Sequence, residues 1–179
     1  MFSLPFLMIG SLFLLIANLP IKSLNTLVAE CGLADICSQV YSSTFSLMAL
    51  FTVVGITYSY LKNDKISTAV NGALTGLAAF VLLTPSSKVL ENGEAVTGVI
   101  SKDWTAGQGM ICAILIGFLV GYIYSLCIRK DIRVKMPEGV PPGVADSFSS
   151  LLPTGIITII CAIIYAVCHF EFKTTFAEL

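Results

Sequence analysis

The chain has 179 residues, 56% of them hydrophobic and only 12% charged, with a mean hydropathy of +0.89. Soluble domains carry about 25% charged residues, so this composition calls for lipid. Ten Lys and Arg against eleven Asp and Glu give a formal charge of −1, which excludes a nucleic-acid partner and a charged tail.

At about 20 apolar residues per crossing, the chain can span a bilayer roughly four to six times. The first apolar stretch is Phe2 to Leu19, with Pro5 near its start; no positive segment precedes it, so it reads as a span rather than a signal peptide. A mildly polar connection, Pro20 to Ser43, carries Cys31 and Cys37, close enough to permit a disulfide. The second stretch, Thr44 to Leu61, is joined by the tight turn KNDK (Lys62 to Lys65) to the third, Ile66 to Thr84. After the connection Pro85 to Ala106 comes the fourth, Gly107 to Ile128, then the charged connection Arg129 to Ser150 and the fifth stretch, Leu151 to Phe170. The five stretches together hold 97 residues without one Asp, Glu, Lys or Arg, so all 21 charges fall in the connections. That segregation marks membrane spans, and the absence of a period of two marks them as helices rather than barrel strands. The expected fold class is an all-α polytopic membrane protein with about five transmembrane helices plus a short amphipathic cytoplasmic helix. Pro141 and Pro142 would open that short helix, with Val144, Phe148 and Leu151 on one face.

Lys and Arg number six in the connections after the second and fourth spans and four elsewhere. The richer side belongs in the cytoplasm, which places the amino terminus there as well.

The spans offer little chemistry. His169 is their one titratable group near neutral pH, and at the end of a span it reads as an interfacial residue beside Glu171. The six cysteines form no CxxC, and no second His accompanies His169, so neither a metal nor a cofactor is expected. Cys112, Cys127, Cys161 and Cys168 lie in spans as small apolar fillers. Trp104, Tyr58, Tyr122 and Tyr124 near span ends fit an aromatic belt. No catalytic or sugar-binding residue is assigned.

The clearest constellation is Gly109, Ala113, Gly117, Gly121 and Ser125, which recur every four residues along one helical face. Small residues at this spacing let a second backbone approach closely, either within the chain or across a subunit boundary. With Val144 and Phe148 they are the candidate interface residues of a homodimer. Thr68, Gly72 and Gly76 repeat the pattern on the third span, with Ser67, Asn71 and Thr75 beside them as interhelical hydrogen-bonding groups.

Two segments carry a resemblance to a known family: VKMPEGVPPGVADSFSSLLP (Val134 to Pro153) and PFLMIGSLFLLIANLP (Pro5 to Pro20). Together with TYSYLKNDKISTAVNGALTGLAAFVLLTP they resemble the membrane component, enzyme IIC, of the bacterial phosphoenolpyruvate-dependent sugar phosphotransferase system, in its lactose, cellobiose and chitobiose branch. Asp146 stands where that family carries small or basic residues. The resemblance implies a bacterial inner-membrane permease for a β-linked disaccharide such as cellobiose, with enzyme IIB and enzyme IIA as phosphoryl-donating partners. It also implies that residues 1–179 correspond to the amino-terminal, dimer-forming half, and that the sugar-binding half is a further partner. A small structural or regulatory membrane protein without transport activity is the alternative.

Overall fold

The structure is a computed structural model that describes residues 4–17, 33–85, 87–89, 95–100, 102–134 and 141–172. Its helices are α1 (Leu4–Ala17), α2 (Leu33–Phe45), α3 (Met48–Asn63), α4 (Ala69–Leu83), the single turn α5 (Lys102–Thr105), α6 (Met110–Arg129) and α7 (Pro142–Val167). Among the described residues, three helical stretches are long and apolar enough to cross a membrane: Asp35–Asn63, Met110–Arg129 and Gly143–Phe170. Two shorter apolar helices, Leu4–Ile16 and Ala69–Leu83, accompany them. Each of the five expected spans thus contains a helix among its described residues.

The second span is longer than its apolar run suggests. Polar residues such as Asp35, Gln39 and Ser42 disguise α2, which runs into α3 across a break at Ser46 and Leu47. The ladder restarts when the Leu50 and Phe51 amides donate to the Leu47 carbonyl at 3.1 and 3.3 Å. The Ser46 carbonyl accepts the Thr105 hydroxyl at 2.6 Å instead, so α5 satisfies an acceptor that the break would leave bare.

The fifth span also differs from expectation. The proline-opened amphipathic segment is not a separate helix; it forms the first turns of α7, which runs unbroken through Val167 and ends in a π-helical turn, Cys168–Phe172. Pro142 sits in the first turn, where a missing N–H costs nothing, whereas Pro153 lies buried in the helix interior. The connection after α4 holds a small antiparallel hairpin, β1 (Ser87–Val89) with β2 (Ala95–Thr97), paired Ser87 to Thr97.

Contacts fix the direction of each helix. Successive positions Gly117 and Gly121 on α6 face Ile56 and Tyr60 on α3, so these two run parallel. Asn71 and Thr75 on α4 meet Ser150 and Thr154 on α7, a second parallel pair. Gly72 and Gly76 of α4 face Leu61 and Thr57 of α3, an antiparallel hairpin. The four helices enclose a core of Tyr124, Phe80, Leu61, Leu83, Ile157, Val53 and Val120, all fully buried. Outside this bundle α1 lies antiparallel along α2, with Gly10 closing onto Thr44 and Phe6 stacked on Phe51 at 5.0 Å.

Candidate functional site

One end of the bundle collects the 62–65 turn, the end of α6 and the start of α7, and with them most of the described charges. The two parallel helices finish there in the same way. Lys65 and Asp131 each take a left-handed conformation, both at φ 58°. The Ile66 amide returns to the Leu61 carbonyl and the Ile132 amide to the Cys127 carbonyl, at 3.1 and 2.9 Å. Each is a Schellman ending with an apolar residue after the left-handed position, but glycine, the usual occupant, is absent from both. Lysine and aspartate pay about 1 kcal/mol for that backbone.

The matching ends bring Asp64 against α6. Its carboxylate accepts the Ser125 hydroxyl and pairs with the Arg129 guanidinium at 2.9 Å. Asp64 is 17% exposed and Arg129 69%, so the pair is a lid at the water boundary rather than a buried ion pair. One turn deeper, the fully buried Tyr124 donates to the Thr68 hydroxyl at 2.9 Å. On the other pair, the Asn71 amide donates to Ser150 Oγ at 3.0 Å and to the Asp146 carbonyl at 3.2 Å. Thr75 and Thr154 share a hydrogen bond of 2.9 Å. A groove of about 280 Å³ beside this seam is lined by Asn71, Thr75, Ser147, Ser150 and Thr154.

The small-residue stripe is used inside the chain. A Cβ on Gly117 would stand 3.1 Å from Ile56 Cγ2, and one on Gly121 would stand 3.0 Å from the Tyr60 ring. One on Gly109 would fall on the Trp104 carbonyl. Ala113 is fully buried and Ser125 is held by Asp64. These five residues are buried against their own chain, the within-chain packing that their spacing allowed alongside a subunit interface. Val144 and Phe148 are different, 45% and 44% exposed on the first turns of α7.

Other expected residues fall as follows. Asn71 and Thr75 make the interhelical bonds their polarity suggested, whereas Ser67 is exposed. Tyr124 leaves the aromatic belt for the core, while Tyr122 is exposed and Tyr58 lies under the Lys62 ammonium, 5.5 Å from its ring centroid. His169 is exposed and stacks on Tyr165 with centroids 5.8 Å apart; the Glu171 side chain lies outside the described residues. Cys37, Cys112, Cys127, Cys161 and Cys168 are buried free thiols, and Cys31 lies outside the described residues. Asp64 and Thr57 escaped the sequence reading. The first lies in a turn and the second in an apolar run, and neither position advertises a partner some sixty residues away.

Three comparisons bear on this arrangement. Residues 1–177 match the family model described as "Phosphotransferase system, EIIC". The oligo-beta-mannoside-specific EIIC component of the PTS system of Bacillus subtilis (strain 168) is 34% identical over 182 residues, 100% of this chain and 40% of that protein. The cellobiose-specific EIIC component of Geobacillus stearothermophilus is 34% identical over 167 residues, 88% of this chain and 37% of that protein. Among solved structures, the transporter ChbC, the IIC component from the N,N'-diacetylchitobiose-specific phosphotransferase system, superposes with a TM-score of 0.90 at 30% identity. That match covers 98% of this chain and 42% of ChbC. The chain thus spans about 40% of the length of the curated relatives it matches. A family model that fits nearly every residue, a shared fold and a multi-pass helical architecture agree: the chain belongs to the phosphotransferase-system EIIC family of integral membrane proteins.

Proposed function

We propose that residues 1–179 form the packing and pairing part of an EIIC sugar permease, with the sugar-contacting groups supplied by polypeptide outside these residues. The observation that carries this reading is that the polar side chains inside the bundle are engaged with one another. Thr57 donates to the Gly117 carbonyl at 3.2 Å, Tyr124 to Thr68, Asn71 to Ser150, and Thr75 pairs with Thr154. A disaccharide stripped of water must regain hydrogen bonds for its many hydroxyls. Phosphoryl transfer also needs a group to take the hydroxyl proton. The five apolar stretches contain no Asp, Glu, Lys or Arg, and His169 lies at the far end of α7 from the charged turns.

In this reading the substrate is a β-linked disaccharide such as cellobiose, a class supported by the names of the matched relatives. Enzyme IIB donates the phosphoryl group after charging by enzyme IIA. The charged end of the bundle faces the cytoplasm of a bacterial cell, in keeping with its Lys62, Lys65, Arg129, Lys130 and Arg133. The amino terminus is then cytoplasmic. A second copy docks on Val144 and Phe148.

Vesicles reconstituted with this chain, IIA, IIB and phosphoenolpyruvate-linked donors test the proposal with labelled cellobiose. The chain alone gives no saturable uptake and no sugar phosphate; co-expression with the remainder of the cellobiose-specific relative restores both. Uptake by the chain alone overturns the proposal, and no restoration favours a structural membrane protein without transport activity. Orientation is read separately from Lys130→Cys in a variant lacking the native cysteines. Impermeant maleimide should label it only after lysis.

A further inference from the structure

Running along α3 toward the charged end, an apolar cleft of about 500 Å³ is lined by Leu50, Phe51, Val54 and Tyr58 of α3, with Phe6 of α1 and Leu77 of α4 beside them. Its walls present almost no polar atom, so water gains no hydrogen bonds there, and a void of this size left empty forfeits the contacts that close packing supplies. An apolar occupant is required. The stacked rings of Phe6 and Phe51 border the cleft at one end, and the exposed Lys62 ammonium stands over Tyr58 at the other.

The dimensions select the occupant. From Leu50 to Tyr58, α3 rises about 12 Å, close to the ~15 Å of hydrocarbon in one leaflet. One acyl chain in extended form matches that length. A cation at the aqueous end of a leaflet-deep apolar trough complements a molecule with an anion above an acyl chain. A zwitterionic headgroup fits less well, because it brings its own cation to the site.

We propose that this cleft is a binding site for an anionic phospholipid, with one acyl chain laid along α3 and the phosphate paired with Lys62. The lipid would fasten α1 to the bundle, since α1 otherwise meets α3 chiefly through the Phe6–Phe51 stack.

Native mass spectrometry of the full chain in detergent, titrated with phosphatidylglycerol and with phosphatidylcholine of the same acyl chains, tests the site. Phosphatidylglycerol should bind roughly fivefold more tightly, the contribution of one lysine at a membrane surface. Lys62→Gln should bring it to the phosphatidylcholine level, and Lys62→Arg should keep the preference. Lys62 is exposed, so neither change endangers folding. Val54→Trp, which fills the cleft, should weaken both lipids. Equal binding of the two lipids to the unmodified chain, or a preference that survives Lys62→Gln, overturns the proposal. So does loss of lipid on dimer formation, which would make the cleft a contact between copies.

Discussion

The two parallel helix pairs solve the same problem in opposite ways. Along α3 and α6 the backbones touch: Gly117 leaves room for Ile56 and comes within reach of the Val53 carbonyl, and Gly121 accommodates the Tyr60 ring. Along α4 and α7 short polar side chains join the helices, Asn71 to Ser150 and Thr75 to Thr154, leaving a groove beside them. Lipid tails are as apolar as the helices, so neither pair gains from hydrophobic association; the first adds dispersion at close contact to the Thr57 bond on the Gly117 carbonyl, and the second relies on hydrogen bonds between side chains. The first seam should therefore tolerate no added volume, and the second should tolerate volume but lose stability with each polar group removed.

Gly117→Leu gives the sharpest break in this contrast. Its side chain meets Ile56 and the Val53 carbonyl, neither of which can retreat without moving α3, and we expect a loss of about 2 to 3 kcal/mol, measured by detergent unfolding. Thr154→Leu adds volume beside the open groove and should cost less than half as much. Equal losses from the two would show that the seams do not differ in slack.

The polar seam is examined by a double-mutant cycle on Thr75→Val and Thr154→Val. The coupling should be about 0.6 kcal/mol, the average for interhelical hydrogen bonds in a membrane. A coupling of zero would mean that the two hydroxyls merely cap their own helices.

At the ends of α3 and α6 the expectation changes sign. Lys65→Gly relieves a left-handed lysine and should stabilise the chain by about 0.5 to 1 kcal/mol, seen as a higher melting temperature in detergent. No gain would imply that the Lys65 side chain contributes as much as its backbone costs. The smallest effect belongs to Asp64→Asn, below about 1 kcal/mol, because Arg129 is largely exposed and the Ser125 hydroxyl retains an acceptor. That loss should shrink further in high salt.

Much of the architecture was legible because a bilayer imposes a simple rule: charges stay out of spans, and their segregation located five helices and the tight turn at Lys62 to Lys65. The spacing of Gly109, Ala113, Gly117, Gly121 and Ser125 likewise announced a close-packed face, and the polarity of Asn71 and Thr75 announced hydrogen bonds between helices. What periodicity could not supply was the partner. A stripe of small residues is the same whether it meets its own chain or another, and only the parallel placement of α3 beside α6 assigned it to the interior. The same holds for Tyr124, whose position near a span end suits an aromatic belt equally well until Thr68 appears beside its hydroxyl. The run of α2 into α3 across its break, and the continuity of the Pro142 segment with α7, were hidden for another reason: polar residues on the early turns mask helix that precedes the apolar run. Sequence alone determined which residues leave water, since transfer free energy is a local property of each side chain. Tertiary structure decided which of them touch, since that depends on the direction and depth of helices far apart in the chain.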